Sequence, residues 1–215
     1  TFSNSTGPLP ETSFYSPVVN VGGPIAKDKL WFYASAQLNQ SLRENPLSIP
    51  GGGQEIRPSH TQTRLGRLKL TWQPGERDRL SLAFNIDRNS IGNLINNASV
   101  ERAAEARIDR GGYFVILNHD HRFSDRVAFA LQTGATFKDV NNDPVTKAIS
   151  HTDSSSRFTR FSSSRISNDQ PGNFLHERKS RIILDPSVSL KARNHDLKMG
   201  VQTSYQRSNQ TAGVS

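Results

Sequence analysis

His119 and His121 flank Asp120, and residues two apart on a strand point the same way, so both imidazoles could reach one metal ion. The pair also continues the side of Tyr113, Val115 and Leu117 and stops just before a short turn. That position suits a belt of amphipathic rings at an interface better than a metal centre, and no metal is expected there. Serines and six histidines could supply a Ser–His–acid triad, but no G-x-S-x-G turn presents a nucleophile. Gly51-Gly52-Gly53 lacks the Lys and Ser/Thr that complete a phosphate loop, and reads as a flexible loop tip. We therefore expect no catalytic residue and no cofactor. The stretch from Ser154 to Arg165 interleaves Arg157, Phe158, Arg160, Phe161 and Arg165 with serines. Rings that stack and guanidiniums that pair with anions could hold single-stranded nucleic acid, an anionic ligand or lipopolysaccharide, and a solvated loop is the plain alternative. These five are the ligand-binding candidates.

Composition narrows the setting. With 33% apolar residues and a mean hydropathy of -0.61, the 215-residue chain is poorly supplied for a soluble globule with a deep core. No run approaches the roughly 18 apolar residues of a membrane-spanning helix. A transmembrane barrel escapes that test, because only one face of each strand meets lipid. Cysteine is absent, so disulfides and thiolate metal sites are excluded within the chain. The net charge of +8 raises nucleic acid as a partner, yet Lys and Arg are spread along the whole chain instead of gathered in a patch. Nucleic acid is not expected.

The elements that must position these residues show a period of two. Leu80, Leu82, Phe84 and Ile86 alternate with Ser81, Ala83, Asn85 and Asp87, and Leu68, Leu70 and Trp72 with Arg67, Lys69 and Thr71. Similar runs occupy Phe14–Gly22, Phe32–Asn39, Tyr113–Asp120, Val127–Phe137, Ile182–Lys191 and Leu197–Gln206, making about eight strands. Helical spacing is confined to Glu101–Arg107. Short turns are expected at Ala26–Lys29, Pro74–Asp78, Ser124–Arg126 and Arg193–His195. Long polar connections lie between them, at Arg43–Ser59, Ser90–Arg107 and Val140–Arg178. Strict alternation of short and long puts every short turn at one rim of an antiparallel sheet, the asymmetry of outer-membrane barrels. Sandwich strands average about five or six residues, whereas several runs here reach the 9–11 or so that a tilted strand needs to cross a bilayer. The expected fold is all-β: an antiparallel up-and-down transmembrane barrel segment.

One stretch resembles a known family. Val21-Gly22-Gly23-Pro24-Ile25-Ala26-Lys27-Asp28-Lys29-Leu30-Trp31-Phe32-Tyr33-Ala34-Ser35 is similar to an early barrel hairpin of Oar-like TonB-dependent receptors, outer-membrane proteins with a carboxypeptidase-regulatory-like amino-terminal domain. In physical terms Gly22 and Gly23 allow close backbone approach, Pro24 and Lys27-Asp28-Lys29 form the turn, and the aromatics open a strand at the interface. Arg67–Pro74 and Leu80–Phe84 look like that family's next hairpin, so the resemblance covers about a third of the chain closely. It implies a barrel of about 22 strands around a plug, energised by the TonB complex through parts outside this chain. Residues 1–215 would then be a partial barrel without a plug, in the outer membrane of a Gram-negative cell.

The further expectations follow from that frame. Arg67, Lys69, Asn85, Asp87 and Gln132 would face a hydrated interior, and the long connections would be extracellular loops that help capture an unidentified ligand. Outer-membrane lipid and lipopolysaccharide are the expected surroundings. The chain starts at Thr1 without a signal-like stretch and ends in a polar tail from Arg207 to Ser215, so we expect it to be internal to a longer protein. The rival reading is a secreted or surface β-rich adhesion module, and a weaker one a basic nucleic-acid binder.

Overall fold

The structure is a computed structural model, and it describes residues 11–48, 54–92, 106–144, 150–153, 158–161, 173–192 and 194–214. All twelve elements are strands: β1 (Thr12–Tyr15), β2 (Val18–Ala26), β3 (Leu30–Ser48), β4 (Gln54–Trp72), β5 (Asp78–Gly92), β6 (Ala106–Arg122), β7 (Val127–Pro144), β8 (Ser150–Asp153), β9 (Phe158–Phe161), β10 (Asn173–Ala192), β11 (His195–Gly200) and β12 (Thr203–Val214). Ten form one sheet in which each long strand pairs antiparallel with its neighbour in the chain, and β8–β9 is a separate hairpin.

Two prolines explain why ten elements amount to eight strands. Both β1 and β2 pair with β3, and both β11 and β12 pair with β10, so ten elements less two interruptions leave eight. Pro17 sits in the first gap, where its carbonyl accepts from Leu38 N but it has no N–H to offer β3. Pro186 on β10 likewise accepts from Val201 N and can donate nothing back, and there the partner breaks into β11 and β12.

The pairing runs past the expected strand ends. Arg43–Ser59, read as a long loop, is a hairpin extension in which Arg43 pairs with Ser59 and the ladder continues to Ser48 opposite Gln54. Similarly β5 runs to Gly92, β6 begins at Ala106, β7 runs to Pro144 and β10 begins at Asn173. A backbone ladder needs no apolar side chains, so polar sequence alone does not end a strand. Of the Glu101–Arg107 stretch, Ala106 and Arg107 are strand and the rest lies outside the described residues. The first turn is formed by Lys27-Asp28-Lys29 alone, with Asp28 at a φ of 58°, a conformation that Asp tolerates. Pro24 belongs instead to β2, beside a register shift between Pro24 and Ala26, on an edge strand where a missing donor does no harm. Gly22 does sit close to the Phe32 carbonyl, whereas Gly23 has open space beside it.

Cross-strand register sorts the side chains cleanly. Leu30, Trp72, Leu80, His119, Leu131 and Pro186 lie on one transverse row, and Ala34, Leu68, Phe84, Val115, Ala135 and Ile182 on another. Every member of both rows is on the same, apolar face. Its side chains are not buried within the described sheet: no large side chain is fully buried among the described residues, and Val19, Ile182 and Leu82 are 68%, 52% and 45% exposed. A sandwich would have buried these positions under a second sheet of comparable size, and the only other sheet among the described residues is the two-stranded β8–β9. On the sequence side, the opposition of Arg67, Lys69, Asn85, Asp87 and Gln132 to this face holds at every position.

Candidate functional site

The polar face is a cross-strand hydrogen-bonded surface. Ser16 Oγ donates to Asn39 Oδ1 at 2.6 Å, and Gln37 Nε2 donates to the same oxygen at 2.8 Å. Asn89 Nδ2 donates to Thr63 Oγ1 at 2.8 Å and Asn118 Nδ2 to Ser81 Oγ at 3.3 Å. Lys138 Nζ lies 3.1 Å from Asp87 Oδ2, while Asp87 Oδ1 accepts from the Gly112 amide at 2.9 Å. Further along, Glu177 accepts from Lys179 at 2.9 Å and from Ser208 at 3.0 Å, which together hold its carboxyl below the usual range. At the short-turn rim Glu76, Arg77, Arg79, Asp120 and Arg122 help to line a shallow cleft of about 450 Å³. Such a surface, carrying charges of both signs, suits water and polar solutes.

The histidine pair has acquired a third member. Register sets Asp78, the first residue of β5, directly opposite His121 on β6 and one step from His119. Asp78 Oδ1 lies 2.7 Å from His121 Nδ1 and 3.2 Å from His119 Nε2. All three side chains are about one-third exposed. Asp78 sits at the turn, beyond the end of the apolar band of β5, and hydrogen bonding to His121 first and His119 second holds its carboxyl below the usual range. The rings are packed by Phe123, 4.5 Å from His121 between centroids, and by Phe129, 6.5 Å from His119. The sequence placed Asp78 in a turn and gave its face by parity with Leu80. Its partner could not be read, because the connection from β5 to β6 is long.

Of the five loop candidates, Arg157 and Arg165 lie outside the described residues. Phe158, Arg160 and Phe161 belong to β9, whose backbone pairs with β8, Arg160 opposite His151 and Phe161 opposite Ser150.

At the long-loop end of the apolar face, Tyr113 stands between Phe84 and Phe137 with centroids 6.2 and 5.1 Å away. One row beyond, Arg64 pairs with Arg88 across β4 and β5, and Asp139 pairs with Arg178 across β7 and β10. Asp139 is 3.8 Å from both Arg88 and Arg178. Two guanidiniums directly opposite one another disfavour the sheet unless an anion joins them.

No family model and no curated protein matches the chain. Among solved structures the chain is similar to the outer membrane transporter YddB from Escherichia coli, with a TM-score of 0.57 and 12% identity over 95% of this chain. It spans about a third of that transporter's length, at 32%. At this identity the likeness shows the fold alone: an all-β, antiparallel, up-and-down sheet.

Proposed function

We propose that the chain is part of the barrel wall of an outer-membrane TonB-dependent transporter of the Oar-like kind, taking up or exchanging a ligand through a lumen lined by its polar face. The observation that carries this reading is the uncovered apolar face together with its height. On β7 it runs from Val127 to Phe137. Ten steps of about 3.4 Å make roughly 34 Å along the strand, and a tilt near 40° reduces this to about 26 Å, close to the roughly 25 Å lipid-facing band of such barrels. The band also slants across the ladder. It ends at Leu80 on β5 but continues two pairs further on β7 and β10, to Val127 opposite Leu190, as tilted strands require.

The remaining parts of the proposal follow from the same frame. The free edges at β1/β2 and β11/β12 are where further strands would pair, and plug and energy-coupling segments would lie in parts of the protein outside this chain. The long connections, including β8–β9 with Arg157, Phe158, Arg160, Phe161 and Arg165, would face the cell exterior and contribute to ligand capture. Lipopolysaccharide fits the exterior rim: Arg64, Arg88 and Arg178 form a basic row just above the Tyr113 aromatics, placed for lipid phosphates over acyl chains.

Single-cysteine scanning tests the reading directly, since the chain itself contains no cysteine. In the full-length protein in native outer membranes, L82C, V115C and I182C should resist a water-soluble maleimide, whereas N85C, Q132C and R181C should react. Equal labelling of the two sets, or their reversal, would remove the assignment of faces. A soluble adhesion module would bury the apolar set in a core of its own, and it is told apart by remaining in solution without detergent.

A further inference from the structure

We infer that Asp78, His119 and His121 form a three-ligand site for a first-row transition-metal dication of the zinc class, at the short-turn rim of the apolar face. Three observations carry it. The donors come from two strands whose pairing is fixed by the ladder, so their convergence does not depend on loop conformation. Their ligand atoms, two imidazole nitrogens and a carboxylate oxygen, all lie within 4.8 Å of one another. And both nitrogens converge on a single carboxylate oxygen, at 2.7 and 3.2 Å, where two independent ion pairs would use one oxygen each.

The geometry is close to what a metal needs. Bonds of about 2.0–2.1 Å in a tetrahedron set donors about 3.3 Å apart. The two oxygen–nitrogen separations, 2.7 and 3.2 Å, lie just short of that edge length, and the nitrogen–nitrogen separation is within 4.8 Å. A dication entering there would take the lone pair of the ring nitrogen that each histidine turns toward Asp78, so each imidazole must be neutral with its N–H on the other nitrogen. Two imidazoles and one carboxylate favour zinc, cobalt, nickel or copper over magnesium or calcium, which prefer an all-oxygen shell. With the three side chains 29–36% exposed, a fourth position remains open to water or an exogenous ligand. Phe123 and Phe129 meet the two imidazoles edge-on, with centroids 4.5 Å from His121 and 6.5 Å from His119. Bound metal would tie the beginning of β5 to the end of β6 and fasten this part of the rim. This inference rests on the local geometry and stands whether or not the barrel carries a ligand.

Cobalt is the practical probe, titrated into the full-length protein in detergent micelles and followed by its visible d–d absorption. We expect a site that saturates at one Co2+ per chain and is displaced by Zn2+. H119A and H121A should each lower the affinity at least tenfold, and D78N should do the same while preserving side-chain shape. H176A removes the imidazole of the separate His176–Asp143 pair and should leave binding unchanged. Folding of each variant is checked by the gel shift between heated and unheated samples. Absence of the cobalt spectrum in the folded wild type would overturn the site, as would a spectrum that folded H119A, H121A and D78N retain at wild-type affinity.

Discussion

Gly111 and Gly112 show how a single residue can fix the sheet. Gly111 has a φ of 128°, and a Cβ on it would strike the Asp87 carbonyl, while a Cβ on Gly112 would strike the carbonyl of Phe137. The Gly112 amide is thereby free to donate to the Asp87 side chain, which also holds Lys138. G111A, through backbone strain and the clash with Asp87, and G112A, through the clash with the Phe137 carbonyl alone, should each destabilise the folded protein by about 1–3 kcal/mol, measured by chemical denaturation in lipid vesicles. Asp78 carries a pH dependence of opposite reach. Its carboxyl is held below the usual carboxylate range, so its contribution is present above that range and is lost as pH falls through the lowered value. The stability difference between wild type and D78N should therefore vanish in acid, measured in metal-free buffer so that the histidine contacts alone are compared. In the sequence, both glycines and Asp78 could be assigned to a face. The atoms they approach belong to strands across long connections, and nothing local to them predicts that.

At the scale of the strand, parity decides the effect of a substitution. Leu117 lies midway along the apolar face, in register with Leu82 and Thr133, whereas its neighbour Asn118 is on the polar face. L117R should cost about 2–4 kcal/mol in a bilayer, while N118R should cost far less, and denaturation in lipid vesicles separates the two. The interrupted strands yield to the same reasoning. Replacing Pro186 by Val restores a donor opposite Val201 and should let β11 and β12 join, read as added protection of the Gly200–Thr203 amides against hydrogen exchange. Within the long connection the described strands β8 and β9 pair with each other and not with the ten-stranded sheet. Deleting residues 145–172 should accordingly leave folding and the heat-dependent gel shift unchanged.

For the whole molecule, an open sheet with one bare apolar face and two free edges has no reason to be stable in water. Expressed by itself without detergent, the 215-residue chain should collect in inclusion bodies, and recovery as a soluble monomer would contradict the membrane assignment. What the amino-acid order determined unaided was the alternation: about eight strands, and the face of each residue within the runs read as strands. Period two is a local property, imposed by the pleat on consecutive residues, so it survives without knowledge of any partner. The tertiary structure decided the rest, because pairing across long connections is free to slide in steps of two without changing any residue's face. That register brought Asp78 to His119 and His121, aligned Arg64 with Arg88, carried the β3–β4 ladder out to Ser48 and Gln54, and slanted the apolar band across the sheet.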